Sequence, residues 1–370
     1  MPGRSRTRVA AVVAVPPPID GMTLVTARAV DVLHAEFAGV HVATIGARDG
    51  QSAWSWRLER QARFLVHGLG LTRARLRGLD VVYLVSDSRF GLPRVLAQVA
   101  MCRSLGVPVV LHHHVARYVN APSRLMAAIT RVGGDTVTHV LLCERLRAGF
   151  AARYPAPRTV VLHNDWVGED EEAPTRRRHH ETDDDVLTLG MLGNLTADKG
   201  TDTFCAVMDD LLTEGHRLRA VIAGPTADRA STEAVATLRQ RHPDAVDHLG
   251  PVHGVAKRRF FAALDVFVLP TRYDNEAEPL VIHEALHAGV PVVATDRGCI
   301  PGQVGDRGWI VSDGADLARV LAEILRQPSR LAPRRAAIAR ATRARQPWAT
   351  RFRAILEQAA GAGSCTRSLP

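Results

Sequence analysis

No apolar run in this 370-residue chain reaches the roughly 18 residues that a membrane span requires. Cysteine is scarce. The five residues Cys102, Cys143, Cys205, Cys299 and Cys365 are odd in number, far apart and without a C-x-x-C pair. That spacing argues against a disulfide framework and against a cysteine metal site. No zinc-finger pattern, RRM-like motif or basic run interleaved with aromatics is present, which speaks against nucleic acid as a partner. No repeat shorter than a domain is visible. Against these absences stands a net charge of +9. It reads as arginine-rich solvated faces, with an anionic small molecule or an anionic membrane face as the partners that such a charge would suit.

The length suits two domains, either of which can bury its own core. Residues Val9–Val15 are a short apolar run closed by prolines and read as a first buried strand rather than a leader, so the chain is expected to stay in the cytoplasm. Short β-branched runs then alternate with longer amphipathic stretches. The first half offers strands at Val9–Val15, Val40–Ile45, Val81–Val85, Val107–His112, Thr138–Cys143 and Thr159–Leu162. The second offers Val186–Met191, Leu218–Ala223, Val246–Leu249, Val266–Leu269, Pro291–Ala294 and Trp309–Val311. Apolar strands separated by helices predict parallel sheets covered on both faces. Gly168–Asp185 holds almost no apolar residue and is expected to be an exposed linker. The predicted organisation is a first domain over 1–167, a linker over 168–185, a second domain over 186–346, and a last helix over 347–360 that packs back on the first domain. The segment Trp54–Arg75 mixes tryptophan, arginine and leucine. It suits either a packed helix with a basic face or peripheral contact with an anionic membrane.

His283-Glu284-Ala285-Leu286-His287 reads H-E-x-x-H, a zinc-hydrolase pattern. Pro279 and Gly289 bound it as a short helix, and His283 and His287 share a face. A catalytic zinc needs a third protein ligand. The extended pattern fails because its last histidine position is Val293, which leaves only a distant acid such as Glu323. Counting back from Glu284 finds Glu276, eight residues earlier, in the loop after the strand Val266–Leu269. That loop lies at the carboxyl edge of a parallel sheet, where ligands bind. The following helix start favours an anion, and carboxylates accept hydrogen bonds from sugar hydroxyls. The spacing predicts a site for a phosphorylated sugar derivative.

The block YDNEAEPLVIHEALHAGVPVVATD resembles the E-x7-E region of retaining glycosyltransferases of family 4, which have the GT-B fold. GMLGNLTADKGTDTF (Gly190–Phe204) is similar to that family's glycine strand-loop with its Lys-Gly pair. VIAGP, HLGPV and LDVFVLPT follow in the family's order. The resemblance implies two Rossmann-like domains facing a cleft. It implies that Glu284 accepts from a nucleotide ribose, that Glu276 holds hydroxyls of the transferred sugar, and that Lys199 neutralises the departing diphosphate. Gly193 and Asn194 would lie along the donor, Gly224, Pro225 and Val252 would line the base pocket, and Leu280 and Val281 would offer backbone N–H groups. In the first half PPPIDGMT looks like the first strand-helix loop, with Gly21 letting backbone approach phosphate or acceptor. His114 of the triplet His112-His113-His114 looks like the histidine near the sugar.

Two departures stand out. Many members carry arginine where this chain has Asn194, which leaves Arg272 or another base to supply a second cation. Many also carry Phe-Gly where this chain has Glu278-Pro279. The resemblance implies transfer of a sugar, with retention, from a nucleoside diphosphate sugar to a sugar, lipid-linked or small-molecule acceptor, without metal or cofactor. The synthesis of a polysaccharide, glycolipid or glycoconjugate would be its setting. A nucleotide-sugar epimerase of the same fold and a non-catalytic sugar-nucleotide-binding module are the alternatives.

Overall fold

The computed structural model describes residues 4–16, 21–44, 70, 72–86, 91–167, 186–344 and 346–365. The expected linker at 168–185 and most of Trp54–Arg75 lie outside the described residues. The chain divides into two compact units, Met1–Trp166 with Gln346–Pro370, and Val167–Arg345. Each is built on one six-stranded sheet.

In the first unit the strands are β1 (Ser5–Val13), β2 (Phe37–Thr44), β3 (Val81–Ser86), β4 (Val109–His113), β5 (Val137–Leu141) and β6 (Thr159–Val161), in the order β2-β1-β3-β4-β5-β6. In the second they are β7 (Leu187–Leu192), β8 (Leu218–Ala223), β9 (Val246–His248), β10 (Val266–Leu269), β11 (Val292–Thr295) and β12 (Gly308–Val311), in the order β12-β11-β10-β7-β8-β9. Every pairing is parallel. The strands fall where the β-branched runs lie, with shifted ends. β4 starts at Val109 rather than Val107, because Pro108 has no N–H to donate to a ladder. β1 starts earlier, at Ser5, with Arg6 exposed in the pleat beside buried Ser5.

β3, β4, β5, β10 and β11 are buried at every position. Helices cover both sheet faces, so these strands need no polar side, and valine serves them well. In the second unit Leu189, Met191, Phe204 and Met208 pack on one face, and Phe267, Ile282, Ala285 and Ile300 on the other. The helix Thr201–Thr213 buries Phe204, Val207, Met208 and Leu211, as its periodicity predicts.

The C-terminal helix Trp348–Cys365 turns Trp348, Phe352, Leu356 and Ala359 into the core of the first sheet. Trp348 stacks on Phe352 at 4.7 Å, and Phe352 meets the Tyr83 ring edge-on at 5.1 Å. Among the described residues no helix is long and apolar enough to cross a membrane.

Strand order locates the functional edges. In the second sheet β8 and β9 lie on one side of β7, and β10, β11 and β12 on the other. The winding reverses between β7 and β10, and the loops leaving their carboxyl ends flank a crevice of the kind that binds ligands. In the first sheet the reversal lies between β1 and β3.

Candidate functional site

The loop after β7 runs from Gly193 into the helix at Thr201, and the loop after β10 runs from Pro270 to Pro279. Both leave the reversal point, and they are stitched to each other. The Arg272 N–H donates to the Asp198 carbonyl at 2.7 Å, and the Thr271 hydroxyl lies 3.3 Å from the same oxygen. Gly200 sits at φ +78°, and a Cβ there would stand 2.1 Å from the Pro270 carbonyl oxygen. The glycine of the Lys-Gly pair is therefore a packing requirement: only glycine lets the two loops approach this closely.

That approach brings the first expected pair together. Lys199 Nζ donates to Glu276 Oε2 at 2.6 Å, and the Thr271 hydroxyl donates to the same oxygen at 3.2 Å. The ammonium also lies 5.3 Å from the centre of the Tyr273 ring. Lys199 keeps 30% of its side chain exposed while Glu276 keeps 8%. The loop Arg272–Glu278 is polar in sequence. Yet Glu276, Ala277, Glu278 and Pro279 are all buried. A buried carboxylate must be paired, and Lys199 pairs it.

Arg272 was a candidate second cation for the position that Asn194 leaves neutral. Its guanidinium is engaged elsewhere, with both Asp202 carboxylate oxygens at 2.9 Å, the Ala197 carbonyl at 2.8 Å and the Thr203 hydroxyl at 2.6 Å. It ties its loop to the β7 loop and to the helix Thr201–Thr213. Asn194 itself is exposed beside Gly193. Gly224 is buried against the Gly193 backbone, donates to the Gly250 carbonyl at 2.7 Å, and is flanked by exposed Pro225. Val252 is half-buried after β9. These loops share one rim because β7, β8 and β9 are neighbours.

The helix Leu280–His287 starts after Pro279 as its N-cap. Leu280 and Val281 occupy its first positions, where backbone N–H groups have no intrahelical acceptor. It ends in a Schellman motif: Gly289 at φ +74° donates to the Leu286 carbonyl, and Val290 to that of Ala285. His283 and His287 lie on this helix, but His283 Nε2 is 3.2 Å from Glu278 Oε1, on a carboxylate side chain that is wholly buried. Glu323 is held by Arg319 and Arg330. Among the described residues no three His, Cys, Asp or Glu side chains are placed to hold a metal ion.

Glu284 has a partner that sequence reasoning missed. Lys257, on the helix Gly254–Ala262, forms a short ion pair with Glu284 Oε1, with 26% and 17% of the two side chains exposed. Glu284 Oε2 is buried without a hydrogen-bond partner among the described residues. An unsatisfied buried carboxylate oxygen is costly and calls for a donor. The residues that lie between Lys257 and Glu284 in sequence hide the pairing; only the packing of two helices beside β10 reveals it.

In the first unit the histidine triplet is distributed by depth. His112 and His113 are fully buried on β4, and His114 is half-buried just past the strand end. His114 alone of the three reaches the surface, and its ring lies 4.1 Å from that of His112. His112 Nδ1 pairs with the Tyr83 hydroxyl at 2.9 Å. His113 Nδ1 pairs with the Tyr118 hydroxyl at 2.7 Å, and its Nε2 with Nδ1 of buried His139 at 2.9 Å. Burial holds His112 and His113 well below the usual imidazole range, with neighbouring histidines adding to the effect, and lowers His139 to about 3. Their structural role is a neutral hydrogen-bonded core under His114. Gly21 is exposed at the start of the helix Gly21–Glu36, and a Cβ there would meet nothing within 4 Å. Packing does not demand a glycine at that point.

Residues 186–327 match the family described as glycosyl transferases group 1. The chain is 28% identical over 251 residues to a GDP-mannose-dependent alpha-mannosyltransferase of Mycolicibacterium smegmatis, covering 62% of this chain and 61% of that protein. It is 30% identical over 152 residues to the lipopolysaccharide core biosynthesis mannosyltransferase LpcC of Rhizobium leguminosarum, covering 38% and 41%. The matched segments thus span less than two thirds of either relative. Among solved structures, HepE of Anabaena in complex with UDP shares the fold with a TM-score of 0.69 at 15% identity, over 96% of this chain and 100% of that one. WaaG, a glycosyltransferase involved in lipopolysaccharide biosynthesis, shares it with a TM-score of 0.65 at 16% identity, over 95% and 98%. The second sheet thus resembles the group 1 glycosyltransferases in sequence over residues 186–327, and the two sheets share the GT-B fold of HepE and WaaG.

Proposed function

We propose that this protein is a retaining glycosyltransferase that moves a hexose from a nucleoside diphosphate sugar to an acceptor hydroxyl. The second domain takes the donor. Glu284 receives ribose hydroxyls, and Gly224, Pro225 and Val252 border the base. Gly193, Asn194 and the N–H groups of Leu280 and Val281 lie along the diphosphate. Lys199 is the cation for the departing diphosphate, and Glu276 orients the transferred sugar. Stabilising charge that develops on a leaving group with a fixed cation is a large catalytic effect and needs no metal. The phosphate oxygen that leaves can itself take the acceptor proton, so no protein nucleophile is required. The first domain takes the acceptor, with Gly21 and His114 at the carboxyl edge of its sheet.

The observation that carries this reading is the Lys199–Glu276 pair at the reversal point of the second sheet. The names of the relatives supply the first donor to test, GDP-mannose. The complex of HepE with UDP supports testing UDP-glucose beside it. Lipid-linked or saccharide acceptors fit this reading, as does action at the cytoplasmic membrane face without a membrane span. Flotation with anionic liposomes tests that location, and binding indifferent to salt removes it.

The decisive experiment measures donor hydrolysis and sugar transfer with labelled GDP-mannose and UDP-glucose. Lys199→Ala and Glu276→Gln are each expected to lower kcat by about 100-fold or more, in line with the loss of one preorganised charge or donor. Glu284→Ala is expected to act mainly through KM for the donor. Full activity in both Lys199→Ala and Glu284→Ala would sink the assignment.

A further inference from the structure

The chain has four tyrosines. Tyr83, Tyr118 and Tyr154 are buried in the first unit, and their hydroxyls are bonded inside it. Tyr273 differs from them: it stands in the loop after β10 with 37% of its surface exposed. Packing alone does not account for an aromatic ring left in the open, but its neighbours do. Tyr273 opens a four-residue turn that Glu276 closes, with the Glu276 N–H donating to the Tyr273 carbonyl at 3.0 Å. The Thr271 hydroxyl accepts from the Tyr273 N–H at 3.2 Å and donates to Glu276 Oε2 at 3.2 Å, which ties both ends of the turn to one side chain. The ring and the carboxylate at those two ends meet the same ammonium. Lys199 Nζ donates to Glu276 Oε2 at 2.6 Å and lies over the Tyr273 ring, 5.3 Å from its centre. That is inside the roughly 6 Å at which a ring face attracts a cation.

We propose that Tyr273 is a positioning residue for the transfer reaction: its ring face is a neutral second hold on the Lys199 ammonium, which keeps the cation in place and fully charged when Glu276 turns to the sugar. The proposal rests on the donor-site reading above and adds a residue to it. The Lys199 backbone is fixed, its N–H donating to the Thr196 carbonyl at 3.0 Å, so what is left to position is the side chain. That side chain is a long flexible stem, which a single partner does not hold in one place. Glu276 is a strong partner, but its negative charge offsets the positive charge that a departing diphosphate calls for. Sugar hydroxyls also compete with the ammonium for its oxygens, since a carboxylate accepts from either. An aromatic ring carries a quadrupole and no net charge. It therefore holds the ammonium without neutralising it, and it keeps doing so after Glu276 is taken. A cation fixed beforehand needs no reorganisation when charge develops on the leaving group.

The test follows turnover of labelled GDP-mannose and UDP-glucose by variants of the full chain. Tyr273→Leu is expected to lower kcat by about 3- to 30-fold, the span of a cation–π contact from exposed to desolvated, with KM for the donor within about 2-fold of its original value. Tyr273→Phe keeps the ring and is expected to bring kcat back to within about 2-fold. Phenylalanines with one, two and three ring fluorines at this position keep the shape and drain the face of negative charge, so kcat is expected to fall in step with the fluorines; a merely structural ring would give a flat series. In a Lys199→Met background, Tyr273→Leu is expected to cost nothing further, because the residue it acts through is gone. A second readout needs no turnover. Lys199 and Lys257 are the only lysines in the chain, so lysine isotopically labelled at Cε gives two magnetic resonance signals, assigned with Lys257→Arg. The Lys199 signal is expected to be moved upfield by the ring in the wild-type chain and in Tyr273→Phe, and to return in Tyr273→Leu. An unchanged kcat in Tyr273→Leu, a flat fluorine series, a further loss in the double variant or an unshifted Lys199 signal each overturns the proposal and leaves the donor-site reading standing. Turnover of neither donor by the wild-type chain overturns the donor-site reading and the proposal with it.

Discussion

Lowering the pH from 7 to 5 should destabilise the first domain selectively, and the histidine core under β4 and β5 sets the size of the effect. His139 is buried, and burial lowers it from the usual 6.5 to about 3. In the folded state it stays neutral through this range; in the unfolded chain it takes up a proton below 6.5. The unfolded state therefore binds more protons between about 6.5 and 3, and stability falls as the pH falls through that window. At pH 5 the loss from His139 alone is about 2 kcal/mol, from 1.36 kcal/mol per decade over the 1.5 decades below 6.5. His112 and His113 are lowered in the same direction and add to it. The groups that face this cluster are the hydroxyls of Tyr83, Tyr118 and Ser86, the His114 ring and the rings of Phe150 and Tyr154. None of them is a carboxylate that would favour imidazolium. Hydrogen exchange followed by mass spectrometry at pH 7 and 5, corrected for intrinsic rates, reads the two domains separately. Peptides from β4 and β5 should lose protection, and His139→Phe should remove part of the pH slope. Constant protection of β4 and β5 across the two pH values would refute the reasoning.

Two further outcomes follow from packing. Gly200→Ala places a Cβ against the Pro270 carbonyl at a left-handed backbone position. It should cost about 2 kcal/mol or more in denaturant unfolding of the second domain and should lower donor binding, whereas Gly21→Ala, which meets nothing, should leave stability within about 0.5 kcal/mol. Trp348→Ala removes the largest fully buried side chain from the first core. A loss of about 3–5 kcal/mol is expected, read as faster exchange in β1 and β3; unchanged exchange there would mean that the C-terminal helix does not support this sheet.

Much of the protein was legible in its residues. Valine-rich runs bounded by proline, glycine and charge produce strands wherever helices cover both faces, and the chain uses that pattern throughout. Local rules also placed Phe204, Val207, Met208, Leu211 and Leu212 on one helical face, though Leu212 is only half-buried, and the stop at Gly289, because helical period and a left-handed glycine depend on neighbours in sequence. The spacing from Glu276 to Glu284 put one acid before a helix and one inside it, and the resemblance to family 4 glycosyltransferases implied a role for Lys199 beside them. None of this required knowing which strands pair.

What only the tertiary structure decided are the partners. The order of strands around β7 sets Lys199 on Glu276, though they stand in different loops. Two helices packed beside β10 set Lys257 on Glu284. The Arg272 guanidinium is drawn to Asp202, Thr203 and the Ala197 carbonyl, and Glu278 is buried beside His283 rather than solvated. Strand depth sorts the three adjacent histidines into two core residues and one at the surface. The physical reason is the same in each case. Backbone propensity acts over a few residues, whereas the partner of a charged side chain is chosen by which distant segments the sheet brings within a few ångströms, and burial then makes that pairing compulsory.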